Sequence, residues 1–244
     1  MFASDATAGL SLVTLFEFAL PILVYLLLRR RTGLHVSNAL LGASVFILFV
    51  YVLEVPLWGI LLLPNTASAA WFKVHPLVMV VCSALSAALF EEVGRLLGLR
   101  FYARRDPGAA TPLAYALGHG GIECILVGGV TTAVTLATLT PAQLAGADFF
   151  TPMLGGLDRA SALVIQITLS FLVWRAATTG RTLLWLAALG LHFGVDLSAG
   201  SLLVGVLAFP VVWAVCNAAV AIVILLLLLR TPAAGTPAPH AQTP

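Results

Sequence analysis

Apolar runs long enough to cross a lipid bilayer recur along almost the whole of this 244-residue chain. A helical crossing needs about 20 apolar residues, so a chain built this way folds as a bundle of membrane-spanning helices. Charged residues make up 9% of the sequence, whereas soluble domains carry about 25%. We therefore predict an all-α, polytopic transmembrane bundle of about seven spans. The predicted spans are Leu10–Leu28, Asn38–Leu62, Pro76–Leu99, Pro112–Leu136, Ala160–Ala177, Leu183–Leu203 and Val206–Leu229.

The basic residues predict the orientation of this bundle. Nine arginines lie at span ends or in connections on one side, and only Lys73 and Arg159 lie on the other. The positive-inside rule then places the N-terminus outside and the C-terminus in the cytoplasm. Residues 1–230 are predicted to form a single transmembrane domain, and residues 231–244, rich in Pro, Ala and Thr, a disordered cytoplasmic tail. The expected location is a bacterial-type plasma or inner membrane, with lipid as a partner. The nine arginines are Arg29, Arg30, Arg31, Arg100, Arg104, Arg105, Arg175, Arg181 and Arg230.

Composition also excludes several classes of function. The net charge is +2 and no basic stripe is interleaved with aromatics, so we expect no nucleic-acid partner. The three cysteines, Cys82, Cys124 and Cys216, lie in predicted spans without a short motif. An odd count of this kind argues against a disulfide framework or a cysteine-only metal site.

Six acidic or histidine side chains lie in three short segments of spans three, four and six, where charge is costly unless it pairs, binds an ion or takes part in chemistry. Two of the three segments that hold them read His-x-x-x-carboxylate, a spacing that puts both groups on one helix face. Imidazoles and carboxylates are ligands that divalent metals prefer. The six are Glu91, Glu92, His119, Glu123, His192 and Asp196.

Counting along the helices places these groups at a common depth. At 1.5 Å per residue, Glu91 is about 13 Å, His119 roughly 12 Å and His192 about 15 Å from the predicted cytoplasmic ends of their spans. Spans three, four and six are therefore predicted to meet around one polar layer, open to water from the cytoplasmic side.

At these motifs the chain resembles the YhfC family of intramembrane metalloproteases, within the wider group of CAAX prenyl proteases and bacteriocin-processing enzymes. Its motifs are Glu91–Arg95, the Gly-His-Gly-Gly-x-Glu block Gly118–Glu123, and His192–Asp196. The resemblance implies a metal-dependent peptidase, with zinc as the expected metal and a peptide or membrane protein as substrate. In this chain the arginine follows the glutamate pair after two residues, where CAAX proteases usually have three.

The resemblance also implies roles for these residues. Glu91 would be the general base that activates water, and Glu92 would be held by Arg95. His119 and His192 would bind the metal. Glu123 would be a further ligand or an acceptor for an imidazole N–H, and Asp196 would bind metal or help to polarise the scissile carbonyl.

Gln166 stands where the resemblance leads us to expect a histidine in span five. Its amide is a poor zinc ligand, so we expect Gln166 to lie beside the ligands in the same polar layer. Two other interpretations stay open: a non-catalytic membrane binding or scaffold protein that keeps the polar core for its fold, and a proton- or cation-coupled transporter. The carboxylates and imidazoles would then be structural pairs or relay groups.

Overall fold

The computed structural model describes residues 2–103, 108–140, 148–206 and 208–230. These residues are almost entirely helical, and no strand occurs among them. The predicted tail, residues 231–244, lies outside the described residues, as do Arg104 and Arg105. The elements are α1 (Phe2–Thr32), α2 (Val36–Phe46), the π-helical segment π1 (Ile47–Glu54), α3 (Val55–Leu61), α4 (Ala67–Val74), α5 (Pro76–Ala103), α6 (Ala110–Glu123), the π-helical segment π2 (Cys124–Val130), α7 (Thr131–Thr138), α8 (Thr151–Thr179), α9 (Thr182–Leu203) and α10 (Pro210–Arg230).

Seven of the described helical stretches are long and apolar enough to cross a membrane, which confirms the predicted fold class. Spans one, three, five, six and seven are the single helices α1, α5, α8, α9 and α10. Span two joins α2, π1 and α3, and span four joins α6, π2 and α7. Large apolar side chains cover the outside of the bundle while many ionisable side chains are buried, as expected of a multi-pass membrane protein.

Span five differs from the prediction at its beginning. The helix begins at Thr151, nine residues before the predicted Ala160, so the connection from span four to span five is shorter than predicted. Asp158 and Arg159 thereby lie within the helix, where the two side chains pair at 2.5 Å. The prediction begins the helix at Ala160 because the apolar run begins only after these two charged residues. Arg159 is therefore not the loop residue that the orientation argument assumes.

Helix α8 is the central element of the bundle. In its apolar window 67% of residues are buried, compared with 11% in α9 and in α10. It contacts α1, α5, α6, α9 and α10, so it positions most of the other spans. Its buried polar side chains, including Gln166 and Ser170, face the other site-bearing helices.

Small residues bring α2 and α6 into direct backbone contact. A Cβ added at Gly118 would lie 1.8 Å from the carbonyl oxygen of Ala39, and one added at Gly42 would lie 2.1 Å from that of Tyr115. Close approach of this kind is typical of membrane helices, which gain stability from packing and not from exclusion of water. The contact fixes the start of the His119–Glu123 segment against span two.

The two π-helical segments adjoin the polar layer. π1 ends at Glu54, and π2 begins directly after Glu123. Phe46, the residue before π1, packs edge-on against the His119 ring with centroids 5.1 Å apart. Single π turns in a helix shift the direction of the following side chains and occur often at functional sites.

Candidate functional site

Glu91 lies at the centre of the polar layer, between the two imidazoles. Its Oε2 is 2.9 Å from Nε2 of His119, and its Oε1 is 3.8 Å from Nε2 of His192. These residues come from α5, α6 and α9, the third, fourth and sixth spans. The structure therefore brings together the three helices whose common depth the sequence indicated.

Glu92 points away from its neighbour and orients His192. Arg95 donates from Nε to both Glu92 oxygens at 3.2 and 3.1 Å. The Nδ1 of His192 is 2.8 Å from Glu92 Oε1, and the indole N–H of Trp185 donates to the Glu92 backbone oxygen at 3.0 Å. Because its Nδ1 is fixed in this way, His192 directs Nε2 towards Glu91 and Asp196.

Arg95 ties this carboxylate to the central helix. Its Nη1 donates to the hydroxyl of Ser170 at 2.6 Å, and its Nη2 donates to the side-chain oxygen of Gln166. The same Nη2 is 3.2 Å from His119 Nε2. Arg95 and Glu92 are both fully buried, so their opposite charges are neutralised within the bundle.

Gln166 lies inside the cluster, at the depth that the sequence indicated. Its amide Nε2 donates to Glu91 Oε2 at 3.2 Å and to Glu123 Oε2 at 2.7 Å. It thus holds two carboxylates close together that would otherwise repel each other. Gly120 makes room for it, since a Cβ there would lie 2.8 Å from the Cβ of Gln166.

Glu123 contacts a cation that the sequence analysis did not include in the site. Arg159 donates from Nη1 to Glu123 Oε1 at 3.1 Å. The signal available in the sequence was helical spacing: Arg159 precedes Gln166 by seven residues, so both lie on one face of α8. Placing Arg159 in a loop concealed this relation.

His119 is closely enclosed. Its Nε2 faces both the Glu91 carboxylate and the Arg95 guanidinium, and its buried Nδ1 has no hydrogen-bond partner among the described residues. The rings of Phe46 and Tyr115 lie on either side, at 5.1 and 5.8 Å between centroids. These contacts fix the imidazole plane and point Nε2 at Glu91.

The donor chemistry of the cluster suits a divalent metal. Within the described ranges, no three His, Cys, Asp or Glu side chains enclose one cation position. His192 nevertheless has the form of a metal ligand, because a carboxylate holds one ring nitrogen and leaves the other free to coordinate. Its Nε2 is 3.5 Å from Asp196 Oδ2, and the Asp196 side chain is 31% exposed. His192 and Asp196 fit a metal best, whereas His119 and Glu123 are engaged in the hydrogen bonds described above.

Two further carboxylates lie at the edge of this cluster. Glu17 in α1 is buried and accepts a hydrogen bond from Thr132 at 2.9 Å. Glu54, at the end of π1, is also buried. Each is a lone carboxylate in its span without a neighbouring motif, and neither contacts the imidazoles through a described hydrogen bond or ion pair.

Comparison with known proteins bears on the same part of the chain. The family described as YhfC intramembrane metalloprotease matches residues 16–217, which include every residue of the cluster. The uncharacterized membrane protein YhfC of Bacillus subtilis (strain 168) is 32% identical over 215 residues, covering 79% of this chain and 83% of that protein. No solved structure matches the chain. The chain belongs to the YhfC intramembrane metalloprotease family.

Proposed function

We propose that this protein is an intramembrane peptidase that hydrolyses a peptide bond of a membrane-associated substrate with a water activated by Glu91. The observation that carries the proposal is the position of Glu91, a buried carboxylate facing two imidazoles in the apolar interior of the bundle. Charged groups at this depth are costly and are usually retained for function. The name of the matched family supports the same reaction class.

In the proposed reaction Glu91 acts first as a general base and then as a general acid. It takes a proton from the attacking water, and it later gives that proton to the amine that leaves when the C–N bond breaks. His119, which contacts Glu91 at 2.9 Å, keeps the carboxylate in place during this exchange. Asp196 is a carboxylate, so it suits binding of a cation or water better than stabilisation of an oxyanion.

His192 and Asp196 would hold a divalent metal, with zinc as the proposed ion. When bound, such a metal polarises the scissile carbonyl and lowers the pKa of a water molecule towards neutrality. The protein's own contribution is orientation. Arg95 fixes Glu92, and Glu92 fixes the ring of His192, so a ligand nitrogen is already directed at the place where water is activated.

The test uses the full-length chain and a matched variant. The protein and its Glu91→Gln variant are each co-reconstituted with bacterial membrane proteins, and new peptide N-termini are mapped by mass spectrometry. We expect new termini near membrane segments with the unsubstituted protein and none with Glu91→Gln. Glu17→Gln, the same change in a buried carboxylate that bonds to Thr132 and to neither imidazole, is the control and should retain cleavage. Identical termini from the Glu91→Gln protein would contradict the proposal.

A second candidate is a non-catalytic membrane scaffold, and the amide of Gln166 favours it. This amide closes the gap between Glu91 and Glu123, and the Arg95 guanidinium contacts His119. In a scaffold these bonds would serve stability alone. The Glu91→Gln variant would then unfold more readily while neither protein produced new termini.

A further inference from the structure

Two adjoining cavities with shared walls form a crevice beside the polar cluster. It lies between α9 and α10, which meet at few points while each packs along α8. Its inner part, of about 60 Å³, is lined by His192, Asp196, Gln166 and Glu123. Its outer part, of about 350 Å³, shares Ala199 and other residues with the inner part and continues towards the turn that joins α9 to α10.

The walls change character along the crevice. The outer part is mostly apolar, with Leu154, Leu157, Leu202 and Val211 among its lining residues. The inner part is polar and has room for about four water molecules, at ~15 Å³ for each. The charged pair Asp158–Arg159 lines both parts, so an apolar chain in the outer part meets polar groups before it reaches His192 and Asp196.

The crevice lies at the surface of the bundle. Only 11% of the apolar window of α9, and the same share of α10, is buried, so both helices present most of their surface to the outside of the bundle. A gap between two such helices opens on the outside of the bundle. It lies at the end of the bundle opposite the side from which the sequence analysis expected access.

The crevice also provides a hydrogen-bond donor. Trp213 lines both parts, and its buried Nε1 has no hydrogen-bond acceptor within the described residues. A peptide bond must leave its helix to be cleaved, and in an apolar surrounding its freed carbonyl needs a donor. Because Trp213 lines both parts of the crevice, its indole N–H is a donor available to such a carbonyl.

We propose that this crevice binds an unwound apolar segment of a transmembrane substrate, which enters from the lipid between α9 and α10 and is positioned by the Trp213 indole. The inference rests on the proposed peptidase function and names the substrate class: a membrane-spanning chain, as distinct from a soluble peptide. Ala199 on α9 and Ala214 on α10 line both parts of the crevice and keep them open because their side chains are small.

The experiment measures binding separately from cleavage. The probe is a membrane-spanning peptide of about 24 Leu and Ala residues with a photoreactive benzoylphenylalanine at its centre, reconstituted with the full-length protein in nanodiscs. After irradiation, cross-linked residues are mapped by mass spectrometry. We expect cross-links to Ala199, Trp213 and Ala214, and the same pattern with Glu91→Gln.

Three variants test the contributions of the crevice and of the Trp213 donor. Ala199→Phe fills the crevice and should reduce these cross-links at least about fivefold. Ala219→Phe places the same bulk on an exposed position of α10 and should leave them unchanged. Trp213→Phe keeps an apolar wall but removes the donor, so it should reduce cleavage of membrane substrates more than it reduces cross-linking. Thermal unfolding of each variant identifies any general loss of fold.

The possible outcomes separate the two proposals. Cross-links in the crevice without new peptide termini would support the binding site and contradict the peptidase. New termini together with cross-links elsewhere, or with no effect of Ala199→Phe, would overturn the crevice and leave the peptidase standing. A short soluble peptide with the same photoreactive group, if it labelled Ala199 and Trp213 as strongly as the membrane probe does, would overturn access from lipid.

Discussion

Glu91 and Glu92 are neighbours in sequence but act in separate parts of the site. Adjacent residues on a helix point about 100° apart. Glu91 contacts the His119 imidazole, while Glu92 contacts Arg95 and holds His192 by its Nδ1. One carboxylate therefore remains available to a substrate, and the other is committed to orientation.

At the residue scale, Arg95 is expected to be essential for stability. Arg95→Met would leave the fully buried Glu92 carboxylate without its counter-ion, at a cost of about 3–5 kcal/mol. Resistance to unfolding in SDS, followed by circular dichroism, measures this loss. Arg181→Met, at an exposed position before α9, is the matched control and should unfold like the unsubstituted protein. Equal stability of all three proteins would show that the Arg95–Glu92 pair contributes little.

Metal content tests the ligand role of His192. We expect zinc in the purified protein and its loss in His192→Ala, because removal of this imidazole also removes the nitrogen that Glu92 orients. His75→Ala changes an exposed histidine in the turn before α5 and should retain the metal. Elemental analysis of the folded, monodisperse fractions gives the comparison, and equal zinc in all of them would refute the assignment.

Whereas His192→Ala should remove zinc, Gln166→His should strengthen its binding. An imidazole at Gln166 would lie beside Glu91 and Glu123, where the amide now donates to both. Neutral amides bind zinc poorly and imidazoles bind it well, so we expect the affinity for zinc to rise about tenfold or more. Competition with a fluorescent chelator measures the change.

At the scale of elements, the contact between α2 and α6 determines where His119 lies. Gly118→Ala would drive a Cβ into the Ala39 backbone, so we expect a loss of at least about 1–3 kcal/mol in stability. Gly190→Ala is the matched control, because a Cβ there meets nothing within 4 Å. It should stabilise α9 by up to about 1 kcal/mol. Unfolding in SDS measures both, and unchanged stability of Gly118→Ala would show that the helices can separate without cost.

The elements also show what the sequence could and could not predict. Spans and the depth of Glu91, His119 and His192 follow from hydropathy and helical rise, which are local properties. The contact between Arg159 and Glu123 depends on where α8 begins, and charged residues near a span end obscure that boundary. The bond from Gln166 to Glu123 depends on how α6 packs on α8, which no single segment encodes.

At the scale of the whole molecule, the distribution of polar residues is the reverse of that in a soluble protein. Its exterior is apolar, and its buried centre holds a connected set of hydrogen bonds from Ser170 through Arg95 to Glu92 and His192. In lipid such groups have no water to bond with, so each needs a partner within the protein. The network therefore gives the bundle a single arrangement of helices as well as a site.

The orientation of the bundle in the membrane can be tested directly. In a background where the three native cysteines are replaced by alanine, Thr66→Cys should react with a membrane-impermeant maleimide in intact cells. Arg181→Cys, at the opposite end of the bundle, should react only after lysis. Labelling of Arg181→Cys in intact cells would reverse the proposed orientation with the N-terminus outside.

Helix α8 both packs against most of the other spans and contributes side chains to the polar network. It packs against five other helices, and it contributes Arg159, Gln166 and Ser170 to the polar network. Insertion of one residue between Arg159 and Gln166 would turn one half of the helix about 100° relative to the other. The insertion would disrupt both the packing of α8 and the polar network. In related chains we therefore expect the spacing within this helix to be constant and changes in length to occur only in the connecting loops.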